Sequence, residues 1–388
     1  MFKVLLVCYN NWDTSAEVPY ILKKGGSEVH VYCSSKSWLL ANSFYDKWIP
    51  CDGPDLKCYI DSLINLVQTE NYNWVMLCDD SIIKYLNDEI KDEDLFKKLM
   101  PINLIENRYM LSSKTGFSDF CEKFKILTPS YFKYNSQADL PAIQAKLKFP
   151  VIIKMDFSSA GFGMFKCDSY EEFVDKSKSL PLNENTLIQE YIVGEEIHVE
   201  GLFYNGVLVN YQTAYTIERV SHEFSYKTRK KYFQSKEIGY LLTYLGKSLG
   251  LNSVANICYI QVKETNQFYL FEVDPRPNSC MAYSRFMSKN DFSNGVKRII
   301  SGDYQTGFIE TNWKKPYFEL ALFYKDIRRA YWNKDIKGIL RWIFNIHGYW
   351  RFLPFYDKKY SKVIFSKLIY EFVIHRIISI FKKDSVHL

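Results

Sequence analysis

With 388 residues, 47% of them hydrophobic, the chain is long enough for two or three domains with cores of their own, which excludes a disordered polymer. A formal net charge of +6 is mild for this length, and the longest basic cluster, Arg229-Lys230-Lys231, reads as a solvated loop, so nucleic acid is not implied as a partner. Nine cysteines without a Cys-x-x-Cys pair point to free thiols in a reducing compartment, the cytoplasm, and six scattered histidines argue against a zinc site.

The apolar run at the start, Lys3 to Cys8, is too short for a signal peptide and reads as a buried strand. A helix from Ala16 to Lys24 closes at Gly25-Gly26, and a second strand follows from Glu28 to Cys33. A helix over Asp61 to Gln68 and a strand from Trp74 to Cys78, ending at Asp79-Asp80, complete a pattern that predicts a parallel α/β layer. No Gly-x-Gly-x-x-Gly follows the first strand, so the dinucleotide fingerprint is missing. A helical stretch from Met110 to Lys125 leads through Thr128-Pro129 to a short strand at Tyr131-Phe132. The strand Pro150 to Met155 and a return strand, Met164 to Lys166, form a hairpin whose tip, residues 156 to 163, is rich in small side chains. A helix at Ser169 to Lys178, a strand at Thr186 to Glu190 and a polar break at Gly194-Glu195-Glu196 come next, then two strands around the hairpin dipeptide Asn205-Gly206. Ser235 to Leu249 is a helix, and Asn256 to Lys263 and Phe268 to Asp274 are strands joined at Thr265-Asn266. The remainder, from about Asn290, reads as helical and Trp-rich. Its last segment, Lys362 to Lys383, is interrupted by Lys367, Glu371, His375 and Arg376, so packing onto the protein is favoured over membrane contact.

The chemistry concentrates in Phe271-Glu272-Val273-Asp274-Pro275-Arg276-Pro277-Asn278. Along a strand Glu272 and Asp274 share a face, with Phe271 and Val273 turned to the core. Two carboxylates in one site repel unless a divalent cation keeps both ionised, and Arg276 adds a planar cation beside them. A strand ending in a surface salt bridge is the plainer reading. Lys154 lies in an otherwise apolar strand and needs a partner, a phosphate or solvent. Ser158, Ser159, Gly161 and Gly163 offer unhindered peptide N–H groups for phosphate oxygens, although such a tip is also an ordinary loop. Gln189, Glu190, Tyr191 and Ile192 leave a strand with peptide groups that can pair with a purine edge, and Glu196 can accept from ribose hydroxyls.

The order of these elements resembles the ATP-grasp superfamily, of the carboxylate-amine ligase type and similar to the carbamoyl-phosphate synthase and biotin carboxylase group. The resemblance runs from about Met1 to Ile300. It implies an α/β and α+β architecture: a parallel α/β domain over 1–107, an ATP-grasp domain over 108–300 and a helical C-terminal extension over 301–388. A lid subdomain at about 128–188 is implied within it, whose part from Thr128 to Lys166 excludes water. Lys114 and Lys154 match the two phosphate-contacting lysines, residues 158 to 163 the phosphate-covering loop, Gln189 to Ile192 the adenine hinge and Glu196 the ribose ligand. Glu272, Asp274 and Arg276 match the Glu-x-Asn-Pro-Arg signature for magnesium (or manganese) and the transferred phosphoryl group, with Asp274 in place of the usual Asn. Counting back across the Thr265-Asn266 turn puts Cys258 at the remaining metal position, where a thiol is a poor magnesium ligand, with Gln261 facing the other side. The implied activity joins a small carboxylate to an amine through an acyl phosphate, with ATP and Mg2+. A sugar acid and an amino acid are the suggested substrates, since Trp332, Trp342 and Trp350 resemble the extension of surface-polysaccharide ligases. Arg219, Lys227 or Arg229 would meet the substrate carboxylate. The alternative is a degenerate grasp that binds nucleotide in a regulatory or scaffold role.

Overall fold

The computed structural model describes residues 1–51, 53, 55–155, 163–180, 186–221, 225–288, 290–309 and 316–374. Strands β1 (Lys3–Cys8), β2 (Glu28–Cys33), β3 (Lys47–Pro50) and β4 (Trp74–Leu77) form a parallel sheet in the order β3-β2-β1-β4. Such a strand is apolar on both sides because helices cover both faces. Val4, Leu6 and Cys8 of β1 join a core with Val18, Ile21 and Leu22 of helix α1 (Val18–Lys24). Leu5 and Val7 face the other way, onto Tyr59, Leu63 and Val67 of α2 (Leu56–Thr69). Each such buried side chain contributes about 1.5–3 kcal/mol. Asp79 caps helix α3 (Asp80–Glu89) through the Ile82 N–H and also accepts from the Tyr9 N–H at 2.7 Å. It thereby ties the loop after β1 to the loop after β4, at the carboxyl ends of the strands where α/β sheets place ligand sites.

After α4 (Glu93–Leu99) and a 3-10 turn at Ile105–Met110, helix α5 (Lys114–Lys123) leads into a second, antiparallel sheet. It contains β5 (Tyr131–Tyr134), β6 (Val151–Met155), β7 (Met164–Cys167) and β8 (Thr186–Glu190) in the order β5-β8-β6-β7. Helices α6 (Leu140–Lys146) and α7 (Tyr170–Ser179) complete this unit, whose own small core holds Ile143, Val151, Ile153, Phe173 and Ile188. The expected hairpin is present, with Val151 opposite Cys167 and Lys154 opposite Met164. Its tip, including Ser158, Ser159 and Gly161, lies outside the described residues.

The third sheet is the largest. Strands β9 (Glu195–Tyr204), β10 (Val207–Arg219), β11 (Lys227–Phe233), β12 (Val254–Val262), β13 (Gln267–Asp274) and β14 (Tyr317–Ala321) pair antiparallel in the order β13-β12-β9-β10-β11-β14. One face packs Ile197, Val199, Ile257 and Tyr259 onto Ile238, Leu242, Leu245 and Leu249 of α8 (Lys236–Leu249), residues spaced to share one helical stripe. That helix stops at Gly250, whose φ of 67° suits a residue without a Cβ. Two departures from the sequence reading fall here. Arg229-Lys230-Lys231 is not a solvated loop but the middle of β11, alternately buried, with Lys230 only 6% exposed because Glu200 pairs with it. The C-terminal part is not purely helical either, since β14 extends the sheet before helices α10 (Phe323–Trp332), α11 (Ile336–Ile343) and α12 (Lys358–Ile369); helix α9 (Phe292–Ser301) precedes it. Helix α12 packs inward through Tyr360, Ile364 and Leu368. Among the described residues no helix is long and apolar enough to cross a membrane.

Candidate functional site

A cleft with about 1310 Å3 of empty space, part of it open to solvent, lies where the three sheets meet. Its walls include Lys114 from the start of α5, Lys154 from β6, Phe271, Glu272 and Asp274 from β13, Arg276 beyond it, Trp12 from the loop after β1 and Asp80 from the start of α3. The β12–β13 register sets the carboxylates. Cys258 is opposite Glu272 and Asn256 opposite Asp274, so both acids rise from the same face of the sheet. A bulge after this point leaves Phe271 extra. Contrary to the expectation that it would enter the core, Phe271 faces the cleft, with the Lys154 ammonium 5.4 Å from its ring.

The two lysines are held by atoms of the second sheet. Lys114 Nζ donates to the Met155 carbonyl at 2.8 Å, and Lys154 Nζ to Gln189 Oε1 at 2.6 Å. Burial pushes the Lys154 amine down to about 8, with the Glu272 carboxylate working against the shift and the Lys114 charge adding to it. The Gln189 side chain is therefore turned to Lys154. Beside it, Glu190 Oε1 accepts from the Lys148 N–H, and the N–H groups of Glu190 and Tyr191 donate to the Ser130 and Pro150 carbonyls. Tyr191 also carries the Lys166 ammonium 4.7 Å from its ring. Ile192 follows in the segment that runs from β8 to β9, and Gly163 sits beside Met155 at the base of the hairpin tip, with its carbonyl accepting from the Met155 N–H.

Across the cleft, burial and the neighbouring Glu272 raise Asp274 to about 7, while Arg276 opposes the shift. Arg276 Nε donates to Asp80 Oδ1 at 2.6 Å, its Nη2 lies 3.5 Å from Asp274 Oδ2, and its guanidinium stands 4.9 Å from the Trp12 ring. Burial works against the Arg276 charge, yet Asp274 and Asp80 hold its pKa above the ordinary arginine value. Asp80 and Trp12 were missed by sequence reasoning. Their one signal is position, at the carboxyl ends of parallel strands.

The remaining expected residues form a neighbouring cluster. Cys258 lies in β12 facing His198 in β9, with its Sγ 3.3 Å from Nδ1, and the other ring nitrogen is 3.2 Å from Glu196 Oε1. Burial, then the Glu272 charge, pushes the Cys258 thiol well up, so it stands as a neutral group. Glu196 pairs with Arg219 and, at 2.9 Å, with Lys227. Burial opposes its ionisation, but His198, Lys227 and Arg219 hold its carboxyl far below the usual range. Arg219 and Lys227 are thus not the unengaged cations expected for a substrate carboxylate, and Arg229 sits 3.8 Å from Glu218 and 3.9 Å from Glu319. Deeper on the same face Lys230 meets Glu200 at 2.7 Å, and Asn278, from the octapeptide, reaches Asn256 at 3.1 Å.

Chemically, the arrangement sets two ammonium groups on one wall against two adjacent carboxylates and a guanidinium on the other. The carboxylate pair fits a hard divalent cation, because Glu272 and Asp274 repel in its absence and both offer oxygen donors. The neutral Cys258 thiol does not add an oxygen to that set.

The sequence matches the RimK-like ATP-grasp domain over residues 122–231. It is 27% identical over 173 residues to a D-alanine–D-alanine ligase of Pelagibacter ubique, covering 40% of this chain and 54% of that one. It is 23% identical over 176 residues to a carbamoyl-phosphate synthase of Methanobrevibacter smithii, covering 44% and 47% respectively. The chain spans about half the length of these two curated relatives. Among solved structures, N5-carboxyaminoimidazole synthetase of Staphylococcus aureus, complexed with ADP, superimposes with a TM-score of 0.62 at 13% identity, over 85% of this chain and 86% of that one. The L-amino acid ligase of Bacillus licheniformis gives 0.55 at 16% identity, over 79% and 74%.

Proposed function

We propose that this chain, which has the ATP-grasp fold and carries a RimK-like ATP-grasp domain, is an ATP-dependent carboxylate-amine ligase acting through an acyl phosphate. The observation that carries the proposal is the cleft itself, where Lys114 and Lys154 of the lid side face Glu272, Asp274 and Arg276 of the large sheet. In this reading ATP lies between the two sheets, with adenine along Gln189, Glu190, Tyr191 and Ile192, ribose toward Glu196, and phosphates on Lys114, Lys154 and the tip that includes Ser158, Ser159, Gly161 and Gly163. Glu272 and Asp274 would hold Mg2+, which when bound supplies charge neutralisation for the phosphates. Lys154 and Arg276 are the catalytic residues. The substrate carboxylate attacks the γ-phosphorus, ADP leaves, and the resulting acyl phosphate is attacked at carbon by the amine, releasing phosphate. Arg276, locked in place by Asp80 and Trp12, meets the negative charge that develops on the transferred phosphoryl group and on the tetrahedral intermediate. The lid at about 128–188 excludes water from the acyl phosphate.

For the amine we take an amino acid, in keeping with the names of the D-alanine–D-alanine and L-amino acid ligases it is similar to. For the acid we take a sugar acid or other small carboxylate of surface-polysaccharide biosynthesis, in keeping with the aromatic C-terminal part. We place the reaction in the cytoplasm, where the nine free cysteines stay reduced. The test is phosphate release from Mg-ATP across a panel of amino acids and uronic acids, with Glu272→Gln as control. That variant is expected to lose at least about a hundredfold in turnover, and an active variant refutes the assignment. One observation favours a second reading. Cys258 occupies the place opposite Glu272 with a neutral thiol, as a nucleotide-binding regulatory or scaffold protein without turnover would tolerate. Tight ADP binding with no phosphate release from any acid and amine pair would select it.

A further inference from the structure

We infer that the outer face of α11 and the turn after it form a docking surface for an anionic lipid membrane. Helix α11 is apolar on two sides. Its inner side sets Trp342 against Phe323, ring centroids 5.0 Å apart, with the indole N–H on Asp326 at 2.9 Å. Its outer side carries Ile336, Leu340, Ile343 and Phe344, at spacings of four, seven and eight residues, which put them on one stripe. Ile336 and Phe344 are each 68% exposed and Ile343 56%. Ile346 and Trp350 continue the patch, since the Trp350 indole N–H donates to the Trp342 carbonyl at the end of the helix. Ile346 stands between Asn345 and His347, whose φ values of 51° and 58° are left-handed. A contiguous exposed patch of this kind marks an interaction surface, whereas isolated exposed apolar residues would not.

Charge selects the occupant. By helical spacing Lys337 flanks the stripe and Arg341 follows it one turn on, while the exposed Lys334 precedes the helix. Over residues 334–351, which carry the patch, the sequence has four Lys and Arg against one Asp, a net +3. Large apolar and Trp side chains with basic residues at their border match the interfacial anchor of a peripheral protein, in which apolar groups enter the headgroup boundary and cations meet anionic lipid. Each cation at such a surface contributes about a fivefold gain in affinity.

The experiment is flotation of the full chain with vesicles of phosphatidylcholine alone or mixed with phosphatidylglycerol, at low and high salt. Binding at least about tenfold tighter to the anionic vesicles and weakened by salt is expected. The double variant Ile336→Glu, Phe344→Glu is expected to stay in the unbound fraction while keeping the wild-type melting temperature and ATP turnover, and Lys337→Glu to bind more weakly. No flotation of the wild type, or equal flotation of the double variant, overturns the inference. So does a wild-type dimer that the double variant disperses in the absence of vesicle binding, because the face would then belong to a second copy of the chain.

Discussion

Lys154 is costly to the fold, and on the proposed function it is useful to nucleotide binding. Burial lowers its amine to about 8 from the ordinary 10.5, a loss of about 3 kcal/mol of native stability at neutral pH. The unfolded chain therefore binds more protons than the native one between pH 8 and 10.5, so wild-type stability rises with pH across that window. Lys154→Met is expected to melt higher than wild type at pH 7, with the difference shrinking from pH 8 to 10.5, and to bind ATP at least about tenfold more weakly. Melting curves and nucleotide titration of the two proteins at several pH values check both halves. At this scale the sequence was legible where a residue broke its local pattern. A lysine in an apolar strand and two acids on one strand face call for partners, whereas Asp80 and Trp12 break no pattern and become visible only when the fold delivers them to Arg276.

At the scale of elements, the site depends on where one segment crosses from the second sheet to the large sheet. Gly194 lies at that crossing, immediately before β9, and a Cβ there would sit 2.5 Å from the Gln261 carbonyl oxygen of β12. That oxygen belongs to the backbone of β12, so either that strand or the chain before β9 must shift. Gly194→Ala is therefore expected to destabilise the protein by about 1–3 kcal/mol and to weaken ATP binding, read by denaturant unfolding and by isothermal titration. Counting back across the Thr265-Asn266 turn put Cys258 near the carboxylate pair, and the register sets it opposite Glu272. The bulge that turns Phe271 into the cleft was not legible, because nothing in a run of alternating residues announces an unpaired one. Strand β11 escaped for a related reason. Its inward residue Lys230 looks solvated until Glu200, thirty positions earlier, is found to neutralise it.

At the scale of the molecule, the N-terminal layer and the large sheet are joined at the site by the Arg276–Asp80 pair, 196 positions apart in the chain. Asp80→Ala is expected to lower turnover about tenfold by releasing the guanidinium and to cost about 1.5–3 kcal/mol by removing a charge-assisted hydrogen bond, with Asp274 still beside the guanidinium. Asp80→Asn should recover part of both losses. Steady-state phosphate release beside thermal melts decides whether the pair positions Arg276 or only staples two layers. The sequence by itself determined the order of strands and helices, the hairpin over β6 and β7, and the carboxylate pair, because periodicity and local charge are properties of neighbouring residues. Only the tertiary structure decided which cations are already engaged by Glu196, which aromatic and acid fix Arg276, and which face of α11 is left outward. Those are contacts between residues far apart in the chain, and they exist only after the sheets have packed.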